Sequence, residues 1–444
     1  MTRKLAILVG GGPAPGINAV IGAATIRTVL SGVDVVGVND GFSHLMKGDV
    51  SKVRHLSVEE VSRIHFRGGS YLGISRANPT RRPEDLEQTV LSLLRLDVDK
   101  LITIGGDDTC FSASQIERQS NGRLRVVHVP KTIDNDLDLP PSVDTFGFQT
   151  ARHIGCELVE NLMVDAKTTH RWYFVVAMGR KAGHLALGIG KAAGVTLSLI
   201  PEEFGDEKVG LKTIVDTLAG AIIKRLALGR NDGVAVIAEG LVERMDEEDL
   251  AHLKGVERDA HGHVRIAEVP FGDILKEQVQ KRLASLGVKM TVQSTNIGYE
   301  LRCADPIPFD MEYARDLGYS AAKYVIEGGN ASLVSMQNSR FVPVPFDSIM
   351  DRSTGRMRVR MVDISSDRYM IARRYMVRLR RDDFDDPHLL AELANVVKLP
   401  IEGFEREFRY LVENEPLPRV FFPEESELHA RTAPAPSVRP KAAR

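Results

Sequence analysis

Leu5-Ala6-Ile7-Leu8-Val9 runs straight into Gly10-Gly11-Gly12-Pro13-Ala14-Pro15-Gly16, and Ile17 to Leu30 follows with helical spacing. A short unbroken apolar run is the pattern of a strand covered on both faces, as in a parallel sheet. The glycines allow a tight turn, and the next stretch contains few helix breakers. The segment reads as strand, glycine loop, helix. Arg3 and Lys4 ahead of the run loosely imitate a secretory leader. The run is too short for one and stops at the glycines, so a buried strand is the better reading.

The unit repeats along the chain. Val33 to Val38 is a second apolar run, closed by Asn39-Asp40-Gly41. Pro83 suits the first position of a helix over Glu84 to Leu94. Lys100 to Ile104 and Arg125 to Val129 read as strands, with a helix over Ser112 to Gln119 between them. Gln149 to Asp165, Lys181 to Ala193, Leu211 to Ala227 and Phe271 to Leu286 read as helices. Trp172 to Ala177, Val195 to Ile200, Gly233 to Ala238 and Met290 to Gln293 read as strands. This alternation predicts an α/β fold with doubly wound, mainly parallel sheets. Right-handed crossovers then collect the loops after the strands along one edge, where ligands bind.

A length of 444 residues suggests two or three domains. We place an N-terminal α/β domain at 1–165 and a second at 166–345, with room for the chain to cross back between them. The second ends in a helix over Met311 to Ile326 and paired runs at Ser332 to Gln337 and Arg340 to Phe346. Residues 346–430 carry a weaker, partly helical signal and form a C-terminal extension. Residues 431–444, rich in Ala, Pro and basic groups without periodicity, are expected to be disordered. The basic run Arg373 to Arg381 and the acidic run Asp382 to Asp386 are expected to form a solvated face.

Composition narrows the partners. A formal net charge of −2 gives no reason to expect nucleic acid or an anionic membrane. Cys110, Cys156 and Cys303 are widely spaced and form no CxxC pair, which points to a reduced, cytoplasmic setting. No stretch approaches the roughly 20 apolar residues that cross a bilayer.

Three segments carry chemistry. The loop Gly10 to Gly16 can present backbone N–H groups to an anion beside a helix N-terminus. It has neither dinucleotide nor P-loop spacing, so alone it equally fits a tight turn. Gly105-Gly106-Asp107-Asp108-Thr109 puts two carboxylates behind two glycines at a strand end. Adjacent carboxylates repel unless a cation is near, and a hard divalent ion bridging phosphate oxygens is the natural partner. A helix cap on Asp108 or Thr109 would explain one acidic residue there and not both. Pro130-Lys131-Thr132-Ile133-Asp134-Asn135-Asp136 is the most specific segment. It supplies both a base for a hydroxyl proton and cationic or metal-holding groups, the needs of phosphoryl transfer. An Asx-type turn would need only one of these polar groups.

With Gly11 to Asn18, Gly68 to Arg76, Met178 to His184, Ala238 to Gly240 and Gly298 to Arg302 added, the chain resembles the phosphofructokinase family over residues 5 to 340. The resemblance implies that family's fold, Mg2+ as cofactor, and fructose 6-phosphate as acceptor. It makes Asp134 the base for the 1-hydroxyl and Asp107, with Asp136, the metal ligands. Thr132, Asp134, Met178, Gly179, Arg180 and Glu239 would hold the sugar, and Tyr299 and Arg302 its 6-phosphate. Gly11, Gly12 and Arg76 would face the phosphoryl donor. Arg171 would reach a neighbouring subunit's sugar site, which implies a homodimer or homotetramer. His184, a lone histidine in a helix, is expected to be structural.

Family members that use ATP typically carry glycine at the positions of Asp108 and Lys131. A carboxylate at Asp108 would crowd and repel a nucleotide's α-phosphate. Lys131 could neutralise a leaving group that lacks a nucleotide. Both residues thus favour pyrophosphate as donor, with an ATP-dependent member as the alternative. An NAD or lipid kinase sharing only the GGD loop leaves the other motifs unexplained. A silent regulatory subunit would have no reason to keep Asp107, Lys131 and Asp134 together. Two departures from the simplest bacterial pattern stand out: Tyr299 replaces a frequent histidine, and an arginine expected just upstream is absent, with Lys289 the nearest stand-in.

Overall fold

The computed structural model describes residues 4–140, 143–205, 207–246, 248–249, 269–351, 357–413 and 415. The opening motif folds as read. Strand β1 (Lys4–Val9) is buried, and the helix Ile17–Val29 follows the glycine loop. Around β1 lie β2 (Val35–Val38), β3 (Val53–His55), β4 (Val98–Gly105) and β5 (Arg125–Pro130). The second group is β6 (Trp172–Ala177), β7 (Leu197–Leu199), β8 (Gly233–Ala238) and β9 (Val292–Ile297), and the last pair is β10 (Ser332–Gln337) and β11 (Arg340–Pro345).

Two sheets form. The larger has the order β11-β10-β5-β4-β1-β2-β3, the smaller β7-β8-β6-β9. The smaller is wholly parallel. The larger is parallel except for β3 and β11, which pair antiparallel at its two edges. The chain crosses back: β10 pairs with β5, so residues 332–345 lie in the first sheet rather than with the second group. The helix Pro308–Ile326 carries the return and packs against the helix Ile17–Val29. At their contact a Cβ on Gly318 would sit 2.5 Å from the Val20 carbonyl oxygen, so glycine there sets the approach of the two helices.

Helices cover both faces of the larger sheet. Ile17, Val20, Ile21, Leu317 and Val325 pack on one face, and Val90, Leu93, Ala113 and Ile116 on the other. The mainly parallel α/β architecture expected from the alternation is therefore present. Where boundaries differ, a tertiary contact decides. The helix expected from Lys181 begins at His184, because Arg180 sits at φ 52° and its N–H and that of Gly179 are taken by Glu239. Strand β9 runs past Gln293 to Ile297 although Ser294, Thr295 and Asn296 are polar. It is an edge strand, and its half-exposed face tolerates them.

The extension departs most from expectation. Its helices Asp367–Tyr375, Pro387–Val396 and Ile401–Phe408 dock on the second domain, where Leu379, Leu393, Phe404 and Phe408 join the core of Trp172 and Phe174. The charged run is a solvated face only in part: Arg374, Asp382, Asp385 and Asp386 are exposed, while others turn inward. Arg378 and Arg373 both reach Glu203, at 2.7 and 3.3 Å, and Asp383 pairs with Lys224 at 2.6 Å, all with largely buried side chains. Burial of these charges is tolerable because each finds a partner far away in sequence, which local charge patterning does not reveal. The expected disordered tail lies outside the described residues. No helix among the described residues is long and apolar enough to cross a membrane.

Candidate active site

A cavity of about 450 Å³ opens where the C-terminal ends of β1, β4 and β5 face those of β6, β8 and β9. Gly11, Gly12, Arg76, Asp107 and Asp108 line it from the larger sheet. The loop after β5 adds Lys131, Thr132, Asp134 and Asp136, and the second sheet adds Met178, Arg180, Glu239, Tyr299 and Arg302. Gly179 stands beside them, its N–H donated to Glu239 Oε1 at 3.0 Å. Arg171 is elsewhere. It precedes β6, at the opposite end of that strand from the cavity, 4.0 Å from Asp165.

The glycines of the first two loops have packing reasons. A Cβ on Gly10 or Gly105 would come within 2.5 or 2.4 Å of Thr109 Oγ1, so both are needed for the helix Asp107–Gln119 to start against the strand ends. Gly106 is the N-cap and no side chain caps that helix, which removes the capping explanation for Asp108 and Thr109. Asp107 and Asp108 instead occupy its first turn, where the helix dipole favours negative charge. Gly11 has φ +87°, a conformation that favours glycine. Gly12 makes room for Arg302: an added Cβ would lie 2.4 Å from its Nη2. The loop expected on the donor side and the arginine expected at the sugar phosphate are thus immediate neighbours.

The loop after β5 is held from several directions. Lys131 N–H donates to Gly105 O at 2.8 Å, and its Nζ donates to Gly12 O. Asp134 N–H donates to Thr132 Oγ1 at 3.0 Å. Asn135, at φ 56°, accepts from Thr145 N–H at 3.0 Å and donates to Asp144 Oδ1 at 2.8 Å. Lys131, Thr132, Asp134 and Asp136 are all buried. Burial pulls the Lys131 ammonium down to about 8, partly resisted by the Asp134 carboxylate. Burial raises the Asp134 carboxyl, against the pull of Arg180. It also lifts Asp136 to about 7, helped by the Asp134 charge. Asp134 Oδ1 is sealed from solvent and has no hydrogen-bond partner among the described residues.

Arg180 joins the two halves of the site. Its Nη1 lies 2.7 Å from Asp107 Oδ1 and 3.5 Å from Asp136 Oδ2. Burial pushes the Asp107 carboxyl up, but the Arg180 guanidinium outweighs it and holds the group below its ordinary range. Glu239 Oε1 accepts from Arg180 N–H at 2.8 Å, and burial raises its carboxyl. Arg302 stacks its guanidinium 5.3 Å from the centre of the exposed Tyr299 ring.

The donor set can be tested against Mg2+. Among the described residues no group of three His, Cys, Asp or Glu side chains could hold a metal by itself. Mg2+ commonly takes only one or two carboxylates and completes its shell with water and substrate phosphate. Asp107 and Asp136 fit that partial role, since one cationic nitrogen already reaches both.

Some residues at the site were not legible beforehand. Asn78 and Arg81 line the cavity close in sequence to Arg76. They follow no strand, and a basic residue in a turn carries no distinguishing pattern. Lys181 and Glu243 line the second-sheet side, paired at 3.5 Å. His184, as expected of a structural histidine, is satisfied: its Nε2 lies 3.1 Å from the Arg360 carbonyl, and burial lowers it to about 4.

Comparison with known proteins agrees with this geometry. The family model described as "Phosphofructokinase" matches residues 4–325. A pyrophosphate–fructose 6-phosphate 1-phosphotransferase of Thermotoga maritima is 51% identical over 93% of this chain and 100% of its own length. The protein of the same name from Naegleria fowleri is 48% identical over 92% of this chain and 96% of its own. Among solved structures, a pyrophosphate-dependent phosphofructokinase from Nitrosospira multiformis superposes with a TM-score of 0.64 at 16% identity, over 84% of this chain and 91% of that one. Phosphofructokinase from Saccharomyces cerevisiae gives 0.63 at 21% identity, over 92% and 50%. Those two show the shared fold; the family model and the two sequence relatives show that this chain belongs to the phosphofructokinase family.

Proposed function

We propose that this chain transfers a phosphoryl group reversibly from pyrophosphate to the 1-hydroxyl of fructose 6-phosphate, giving fructose 1,6-bisphosphate and phosphate. The observation that carries the reading is Asp134. A buried carboxylate oxygen without a donor costs free energy unless a ligand supplies one. A substrate hydroxyl entering the cavity would supply it, and the raised carboxyl would be a stronger base for its proton.

In this reading Asp134 accepts the proton of the 1-hydroxyl while the oxygen attacks the near phosphorus. The bond from that phosphorus to the bridging oxygen breaks, and the second phosphate leaves with the electron pair. Lys131, held between Gly12 and Asp134, offsets the charge gathering on it. Thr132 holds the Asp134 backbone through its hydroxyl. Asp108 excludes a nucleotide, and Gly11, Gly12 and Arg76 face the donor. Asp107 and Asp136 would hold Mg2+, which when bound neutralises phosphate oxygens in the transition state. Arg180 would then be released from the two carboxylates toward the substrates. Met178, Gly179 and Glu239 bind the sugar, and Tyr299 and Arg302 its 6-phosphate, where a forked guanidinium suits a dianion.

The first α/β domain thus serves donor and metal, and the second serves the sugar phosphate. Arg171, outside its own cavity, would complete a neighbour's sugar site in a homodimer or homotetramer. Three free cysteines suit a cytoplasmic enzyme of glycolysis. One preparation given pyrophosphate or ATP, each with fructose 6-phosphate or sedoheptulose 7-phosphate, tests the reading. Turnover with pyrophosphate and fructose 6-phosphate is expected. Robust turnover with ATP and none with pyrophosphate would reject the donor, and binding of sugar phosphate without turnover would make the chain a regulatory subunit.

A further inference from the structure

Arg360 lies beyond residues 4–325 matched by the family model, in the extension, yet it is tied to the loop that carries Asp134 and Asp136. Its N–H donates to Asp136 O at 2.8 Å, and Val359 forms an antiparallel bridge to Leu137. Its side chain turns back into the same loop. Nη1 donates to Val143 O at 2.9 Å, Nε and Nη2 to Asn135 O at 3.3 and 3.2 Å, and Nη2 also to Asn135 Oδ1. Asn135 is the residue at φ 56° between the two carboxylates. One planar fork therefore collects the Asn135 carbonyl and side-chain oxygens together with the Val143 carbonyl. The other side of the segment is tied to the second domain. Arg360 O meets His184 Nε2 at 3.1 Å, and Val362 N–H donates to Glu202 Oε1 at 2.9 Å. Glu202 Oε1 also takes the Gly183 N–H at 2.9 Å, in the loop that begins at Met178.

We infer that Arg360 is a positioning residue for phosphoryl transfer: it fixes the turn that sets Asp134 and Asp136 and registers it against the Met178–Gly183 loop of the other domain. The inference rests on the proposed transfer reaction. Arg360 meets no expected substrate group, so its loss should misplace the base without removing a binding contact. A misplacement of about 1 Å at a reacting group can cost on the order of 100-fold in rate. Lysine would keep the charge and lose the fork, since it presents one point of donation rather than a planar set.

The test compares the full-length chain with Arg360→Ala and Arg360→Lys, reading kcat, KM for each substrate, and folded fraction by near-UV circular dichroism. The expected result is a kcat lower on the order of 100-fold for the alanine variant per folded site, with KM for fructose 6-phosphate nearly unchanged. The lysine variant should fall between. Added guanidinium ion should restore part of the alanine variant's kcat, and equal ammonium should not. An unchanged kcat per folded site, or a raised KM with kcat intact, would overturn the inference. If the alanine variant does not fold, a lysine variant as fast as the wild type overturns it. The ratios are taken with whichever donor the wild type uses. Failure of the pyrophosphate reading would then appear in the wild type itself and leave the Arg360 comparison readable.

Discussion

Arg180 Nη1 stands 2.7 Å from Asp107 Oδ1, and this contact bridges a loop of the second sheet and the first helical turn after β4. The guanidinium occupies the position of a cation between Asp107 and Asp136, 3.5 Å from the latter. In the proposed mechanism, Mg2+ would have to compete with Arg180 for both carboxylates. Asp107→Asn would remove one of the two carboxylates proposed to hold the metal, and the partner that holds Arg180. It should raise the Mg2+ concentration for half-maximal rate by about 10-fold or more. A Mg2+ titration of the initial rate checks this. An unchanged midpoint would assign the metal to other groups.

Asp134→Asn keeps the size and the backbone hydrogen bond to Thr132 while deleting the proposed base. General-base catalysis contributes roughly 100- to 10,000-fold, so kcat should fall within that range. KM for fructose 6-phosphate should change little. A variant with wild-type kcat would transfer the role of base to another residue.

The repeating strand, loop and helix were legible because buried parallel strands leave unbroken apolar runs, and their loops leave glycines. Lys131, Thr132, Asp134 and Asp136 were legible because they fall within one turn after such a run. The cavity brings together residues from Gly11 to Arg302, and their order along the chain alone did not show which would touch. Arg180 on Asp107 and Gly12 against Arg302 are contacts between loops of different sheets. Arg360 was hidden for a further reason. Its work is done by hydrogen bonds to backbone carbonyls, which leave no complementary residue type in the partner segment. That Arg373 and Arg378 turn inward is not legible locally, because their partner Glu203 lies 170 and 175 residues away.

The pH profile should carry a mark of Lys131. Burial brings its ammonium down to about 8. The charge is therefore present below that pH and lost above it. Because the proposed mechanism gives this cation to the leaving phosphate, kcat/KM for pyrophosphate should decline as pH rises through about 8. Lys131→Gly should be slower and should lack that alkaline limb. A limb that persists in the variant would belong to a different group.

Donor choice is assigned to Asp108 and Lys131 together, and replacing both by glycine separates repulsion from attraction. The double variant should lose on the order of 100-fold or more in kcat/KM for pyrophosphate, in line with the loss of one transition-state contact. It should gain measurable turnover with ATP, because the carboxylate proposed to repel an α-phosphate would be gone. Asp108→Gly alone should admit ATP while retaining part of the pyrophosphate rate. Rates with both donors for each variant decide the matter, and no ATP turnover in either would mean that the nucleotide is excluded by other parts of the cavity.

Glu203 concerns stability rather than rate. Its side chain is almost fully buried and receives Arg378 at 2.7 Å and Arg373 at 3.3 Å, joining the extension to the second domain. Removing the carboxylate leaves two largely buried guanidinium groups short of a partner. Breaking a buried pair from one side typically costs about 3–5 kcal/mol. Glu203→Ala should therefore unfold at clearly lower urea, and its melting should lose cooperativity as the extension separates first. Adding Arg378→Met should recover part of the loss, because the second change removes a stranded charge and puts apolar volume in its place. Urea unfolding of the two variants checks both statements. A single variant as stable as the wild type would mean that the arginines find other partners and that Phe404 and Phe408 dock the extension without the ion pairs.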